Sequence, residues 1–110
     1  LNGRGKINYE LWKGIKLLNE FAEFAKFKNI RVYFIFPCYP KSEFELNKVV
    51  IKKYENDLRR ELEMPILNKP EDFVFADSLF YDTVYHLNKV GREKRTGLLI
   101  EILKKNHIGN

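Results

Sequence analysis

The stretch IRVYFIF, residues 30–36, constrains the fold more than any other part of the chain. It is β-branched and aromatic almost throughout, and Pro37 stops it. A run this short suits a strand. Its continuous apolarity, in place of alternation, predicts a strand covered on both faces, as in a parallel sheet with helices on each side.

The flanking segments read as those helices. From Tyr9 to about Lys28, the residues Leu11, Ile15, Leu18, Ala22 and Ala25 recur at steps of four and three and form one apolar stripe. Trp12, Leu17, Phe21 and Phe24 widen it, which predicts a helix covered on more than one side, and Asn29 ends it. Residues 1–8 read as a loop or a frayed lead-in. After the loop PCYPKSE, Ser42 and Glu45 have capping-box spacing. A second helix is predicted from there to about Leu62, with Leu46, Val50, Tyr54, Leu58 and Leu62 on its buried side.

MPILN, residues 64–68, is a very short strand. A long connection follows, for which Phe73, Phe75, Phe80, Tyr81 and Tyr85 supply aromatic anchors. Asn88 caps a last helix from about Lys89 to Lys105, with Val90, Leu98, Leu99, Ile102 and Leu103 as core candidates. Gly91 and Gly97 weaken that helix, and close packing against a neighbour would explain them. A strand–helix–strand crossover flanked by helices makes parallel α/β the natural class. Two strands are too few for a stable parallel sheet. The expectation is therefore either one α/β domain over residues 1–110 that completes its sheet with another copy, or the C-terminal fragment of a larger domain.

Composition narrows the functions. The 110 residues include 15 Phe or Tyr, enough for a packed core. A single cysteine, Cys38, excludes an internal disulfide framework and a cysteine-rich zinc site, and the two histidines are too far apart for a local metal motif. No cofactor is called for. The longest apolar run is too short to span a bilayer, so membrane attachment is expected only through segments upstream of this chain. The compartment stays open between cell envelope or exterior and cytoplasm. The net charge is +5, but 20 basic residues are interspersed with 15 acids. Glu55–Arg59 and Asp57–Glu61 at i,i+4 read as a solvated helix face, which ranks nucleic-acid binding low.

Sites in parallel α/β sheets form beyond the C-terminal ends of strands. Cys38 and Tyr39 follow one strand, and the loop carrying Asp82 and His86 follows the other. Histidine suits proton transfer near neutral pH, and a nearby carboxylate can hold its tautomer. Spacing alone favours a surface histidine beside a capping asparagine, with Asp82 bonding local backbone. Cys38 reads first as a small buried hydrophobe and second as a nucleophile. Cys38, Tyr39, Tyr85 and Asn88 are candidates to line a pocket, with core or rim packing as the alternative for the tyrosines. GREKR, residues 91–95, could meet phosphate near a helix start, but its side chains read as pointing to water.

The longer string FYDTVYHLNKVGREKRTGLLIEIL, residues 80–103, resembles the C-terminal signature of the SGNH (GDSL-like) hydrolases. In that family a loop bearing Asp and His leads into the last helix of a three-layer α/β/α flavodoxin-like sandwich. IRVYFIFPCYP is similar to the family's penultimate strand and loop. The resemblance implies an esterase or acyl-transfer activity on acyl esters, including O-acetylated carbohydrates and lipids, with His86 as base and Asp82 as its orienter. It covers the chain as a C-terminal half only. The family spacing places the Asp three residues before the His, where this chain has Thr83; Asp82 stands one residue earlier. The nucleophile motif and the Gly and Asn oxyanion motifs are absent from these residues, whose only serines are Ser42 and Ser78. The expectation is an Asp–His half-relay whose serine lies upstream, in a chain inactive by itself. The competing readings are a non-catalytic α/β interaction module and, behind it, a basic nucleic-acid-binding domain. A two-strand remnant also predicts self-association through its open sheet edge.

Overall fold

The computed structural model describes residues 5–109. They form a mixed α/β fold with four helices and a two-stranded parallel sheet. The order is α1 (Gly14–Phe27), β1 (Tyr39–Pro40), α2 (Lys41–Leu46), α3 (Lys48–Glu61), β2 (Val74–Phe75) and α4 (Lys89–Lys105). Short 3-10 turns at Pro70–Phe73 and Asp77–Leu79 flank β2.

The strand expected at residues 30–36 is extended chain carrying a single parallel bridge, Phe34 to Ile66. Phe34 N donates to Pro65 O at 2.9 Å, and Leu67 N donates to Phe34 O at 3.0 Å. Pairing with the second segment then resumes as β1 against β2, with Tyr39 opposite Val74 and Pro40 opposite Phe75. Pro37 and the Pro70–Phe73 turn account for the break, since proline lacks an amide donor and the turn lifts the partner chain out of register. Asn68 spans part of the gap. Its Oδ1 accepts from Phe36 N at 2.7 Å, and its Nδ2 donates to Phe36 O at 3.1 Å. The buried amide thus acts as a peptide group at a place where the backbone cannot.

This extended segment is covered on two sides. Phe36 packs with Ile15 of α1 and Leu58 of α3, and Phe34 joins them. Ile35 and Cys38 instead pack against Phe73, Phe75, Phe80 and Leu87, together with Leu98, Leu99 and Ile102 of α4. From Phe34 to Phe36 alternate side chains thus serve opposite faces, as strand geometry requires, and the alternation breaks at Pro37, after which Cys38 joins Ile35. A third cluster joins Phe44, Val50 and Ile51 to Ile7. Residues 5–7 are therefore docked, not frayed: Ile7 N donates to Asn47 Oδ1 at 2.7 Å, and Asn47 Nδ2 donates to Gly5 O at 2.9 Å. Leu1–Arg4 lie outside the described residues.

Several helix expectations need correction. α1 starts at Gly14, five residues after Tyr9. It ends as expected at Asn29, whose φ of 58° puts it in the left-handed region, while Ile30 N closes on Ala25 O at 2.8 Å. Leu11 and Trp12 precede α1 and are exposed, as are Leu17, Phe21, Phe24 and Phe27, so the covered stripe of α1 narrows to Ile15, Ala22 and Ala25, with Leu18 half-buried. The second helix is two, α2 and α3, separated at Asn47. Ser42 does not cap: α2 begins at Lys41, which places Ser42 inside the first turn, and its N–H donates to Asp77 Oδ1 at 3.0 Å. Asp77 therefore caps α2 from another segment, and the Ser42 hydrogen bonds hold its carboxyl below the usual range. Leu46 and Val90 are exposed. The presumed solvated face of α3 buries the side chains of Glu55 and Asp57, each tied to an arginine.

Candidate functional site

Asp82 and His86 sit at the tip of a tight hairpin. Phe80 and Leu87 form an antiparallel bridge at its base, and both are buried. Tyr81 N donates to His86 O at 2.6 Å, and His86 N donates to Thr83 O at 3.3 Å. Thr83 Oγ1 accepts from Tyr85 N at 3.2 Å and tightens the turn. Backbone bonding thus brings the two side chains onto one side. His86 Nδ1 lies 2.9 Å from Asp82 Oδ1.

The pair faces water: the His86 side chain is 65% exposed and that of Asp82 55%. The bond to His86 holds the Asp82 carboxyl below its ordinary value, so it is anionic throughout the neutral range. An anionic acceptor at Nδ1 selects the tautomer whose Nδ1 carries the proton and leaves Nε2 as the basic nitrogen. Nε2 makes no hydrogen bond among the described residues, and no described serine, threonine or cysteine bonds to the ring.

Asn88 fixes the hairpin to α4. Its Oδ1 accepts from Gly91 N at 2.9 Å, the expected N-cap, while its Nδ2 donates to Ser78 O at 2.7 Å. One side chain therefore joins the helix start to the turn before the hairpin. Gly91 allows this approach, because a Cβ there would lie 2.6 Å from Leu79 O. Gly97 has open space around it and needs no such explanation.

Two depressions flank the hairpin. A mainly apolar cavity of about 380 Å³ is lined by Cys38, Tyr39, Phe73, Val84 and Tyr85, among others. A second cleft contains His86 with Tyr85, Asn88, Lys89, Arg92 and Arg95. Tyr85, Leu87 and Arg95 line both. Cys38 and Tyr39 thus border the cavity, His86 and Asn88 border the cleft, and Tyr85 joins the two. Burial pushes the Cys38 thiol above its usual range, and the charge of Arg95 only partly opposes this. A thiol held protonated is a poor nucleophile. Tyr81 and Tyr85, expected as anchors of the long connection, are exposed; Phe73, Phe75 and Phe80 do that work. Among the described residues, no three His, Cys, Asp or Glu side chains converge as a metal site would require, and no helix is long and apolar enough to cross a membrane.

No protein-family model matches this chain, and neither does any curated protein or solved structure. Function therefore has to be argued from the residues. The sequence reading names GREKR as a phosphate candidate; what it misses is Lys89 and the position of these cations beside His86. Lys89, Arg92 and Arg95 recur every three residues from the start of α4, and that interval was the available signal.

Proposed function

We propose that this chain is the C-terminal part of an SGNH-like hydrolase or acyl-transfer domain acting on acyl esters, with His86 as general base and Asp82 as the residue that orients it. The observation that carries the reading is the 2.9 Å contact between Asp82 Oδ1 and His86 Nδ1, with Nε2 left without a partner at the edge of a cleft. A base prepared in this way lacks a hydroxyl to act on, and the serine and oxyanion donors come from outside these residues. The cavity beside Tyr85 suits the acyl part of an ester, because its walls are chiefly apolar.

The same reading makes the fold the C-terminal portion of a three-layer α/β/α sandwich. The packing of α1 and α3 on one side of residues 34–38, and of α4 on the other, supports that portion. Further strands would continue the sheet from its open edges. The exposed apolar residues of α1 favour one alternative, a non-catalytic α/β interaction module that meets its partner through Leu17, Phe21, Phe24 and Phe27.

The two separate by assay. The longer protein that includes these residues should hydrolyse a chromogenic acetyl ester, whereas the 110-residue chain alone should not. A longer protein inactive across a broad acyl-ester panel contradicts the hydrolase reading and leaves the interaction module in its place.

A further inference from the structure

The cleft holding His86 is lined by charges of one sign. Lys89, Arg92 and Arg95 border it, and no carboxylate does. Asp82, beside His86, is already bonded to its Nδ1, and Glu93, next to Arg92, neither borders the cleft nor forms an ion pair among the described residues. None of the three cations forms an ion pair among the described residues. Arg92 donates to Leu87 O at 3.0 Å, which tethers its guanidinium to the base of the hairpin.

For Lys89 and Arg92, in the opening turn of α4, this placement runs against helix electrostatics. Cations are favourable near the C-terminal end of a helix and unfavourable near its start. The first turn of α4 holds no acidic residue. Like charges spaced three apart on one face also repel. A local arrangement that costs stability and has no internal partner is the kind of misfit that marks a binding site.

We propose that the substrate taken by this cleft is an acyl ester bearing a phosphate group, with Lys89, Arg92 and Arg95 holding the phosphate while the ester faces His86. The assignment rests on the hydrolase reading above. Three positive charges balance a phosphate dianion better than a single carboxylate, and guanidinium groups match phosphate oxygens in paired hydrogen bonds. The adjoining apolar cavity, which shares Tyr85, Leu87 and Arg95 with the cleft, places acyl and phosphate ends on either side of one rim.

The test uses glycerol 1-phosphate as probe and glycerol as its neutral control, titrated into the chain while the His86 and His107 ring signals are followed by NMR. Glycerol 1-phosphate should shift His86 saturably, leave His107 unmoved and bind more weakly as salt is raised; glycerol should do nothing. The double variant Lys89→Gln/Arg95→Gln should bind at least about tenfold more weakly, with helix content unchanged by circular dichroism. No saturable shift, an equal response to glycerol, or unchanged binding by the double variant overturns the phosphate site. Ester assays on the longer protein keep the two readings apart. Turnover of neutral esters without phosphate binding overturns the assignment at the cations and leaves the relay standing. Phosphate binding without any ester turnover overturns it at the relay.

Discussion

The side-chain amide of Asn68 pairs with both backbone groups of Phe36, accepting at 2.7 Å and donating at 3.1 Å. Both residues are buried, so replacing Asn68 strands a donor and an acceptor at the centre of the fold. Asn68→Ala should destabilise the chain by about 2–4 kcal/mol, the cost of two unsatisfied buried groups less partial relief by water. Asn68→Asp restores the acceptor and not the donor. Urea unfolding of both variants checks this, and an unchanged midpoint for Asn68→Ala would show that the amide does not carry the pairing.

Two glycines of α4 should respond oppositely to alanine. At Gly91 the new Cβ would meet Leu79 O at 2.6 Å, a backbone atom that cannot swing aside. Gly91→Ala should cost roughly 1–3 kcal/mol through overpacking. Gly97 has nothing within 4 Å, so Gly97→Ala should stabilise by about 0.5–1 kcal/mol through helix propensity alone. Thermal melts of the pair decide the point.

Acid should loosen the contact between residues 9–10 and α3. The Tyr9 hydroxyl donates to Asp57, and that bond, with Arg60, holds the Asp57 carboxyl below its ordinary value. Burial alone would raise Glu55, but its bonds to Lys52 and Arg59 outweigh burial and lower it. Both groups bind protons less readily folded than unfolded. Their stabilisation is therefore complete above the unfolded values of 3.8 and 4.5 and is lost as pH falls through the lower folded values. Melting temperature followed from about pH 6 to pH 3 should decline in this window, and Glu55→Gln should flatten the decline.

Cys38 should react slowly. Burial raises its thiol, so little thiolate is present at neutral pH. Labelling by a disulfide reagent should lag behind that of a free cysteine and accelerate only above the usual thiol range. Arg95→Gln, which removes the opposing charge, should slow it further. Rapid labelling at neutral pH would return Cys38 to the list of nucleophiles.

Local signals in the sequence located the start of α4 at Asn88 and the end of α1 at Asn29, because capping chemistry acts within a few residues; the two-sided covering expected over residues 30–36 holds for Phe34–Phe36, whereas Ile30 and Arg31 are exposed. What stayed hidden depends on distant partners. The capping of α2 by Asp77, the pairing of Asn68 with Phe36 and the docking of Ile7 on Asn47 all join residues more than 30 positions apart. The Asp82–His86 contact was legible as a candidate, but its cause was not. An i,i+4 interval suggests a helix, whereas here a hairpin closed at Phe80 and Leu87 produces the same proximity. The GREKR side chains read as pointing to water, and Lys89, Arg92 and Arg95 are exposed; what spacing does not show is that they border the cleft of His86.

The central claim is that Nε2 of His86 is a working base oriented by Asp82. It is tested most directly by turnover of an acetyl ester in the full hydrolase proposed above, carrying His86→Ala or Asp82→Ala, with circular dichroism confirming the fold. Because backbone bonds close the hairpin, neither change should unfold it. His86→Ala should lower kcat by about 10²–10⁴-fold, and Asp82→Ala by a smaller factor, since the imidazole survives without its orienting partner. Full activity in the His86→Ala protein would contradict the claim.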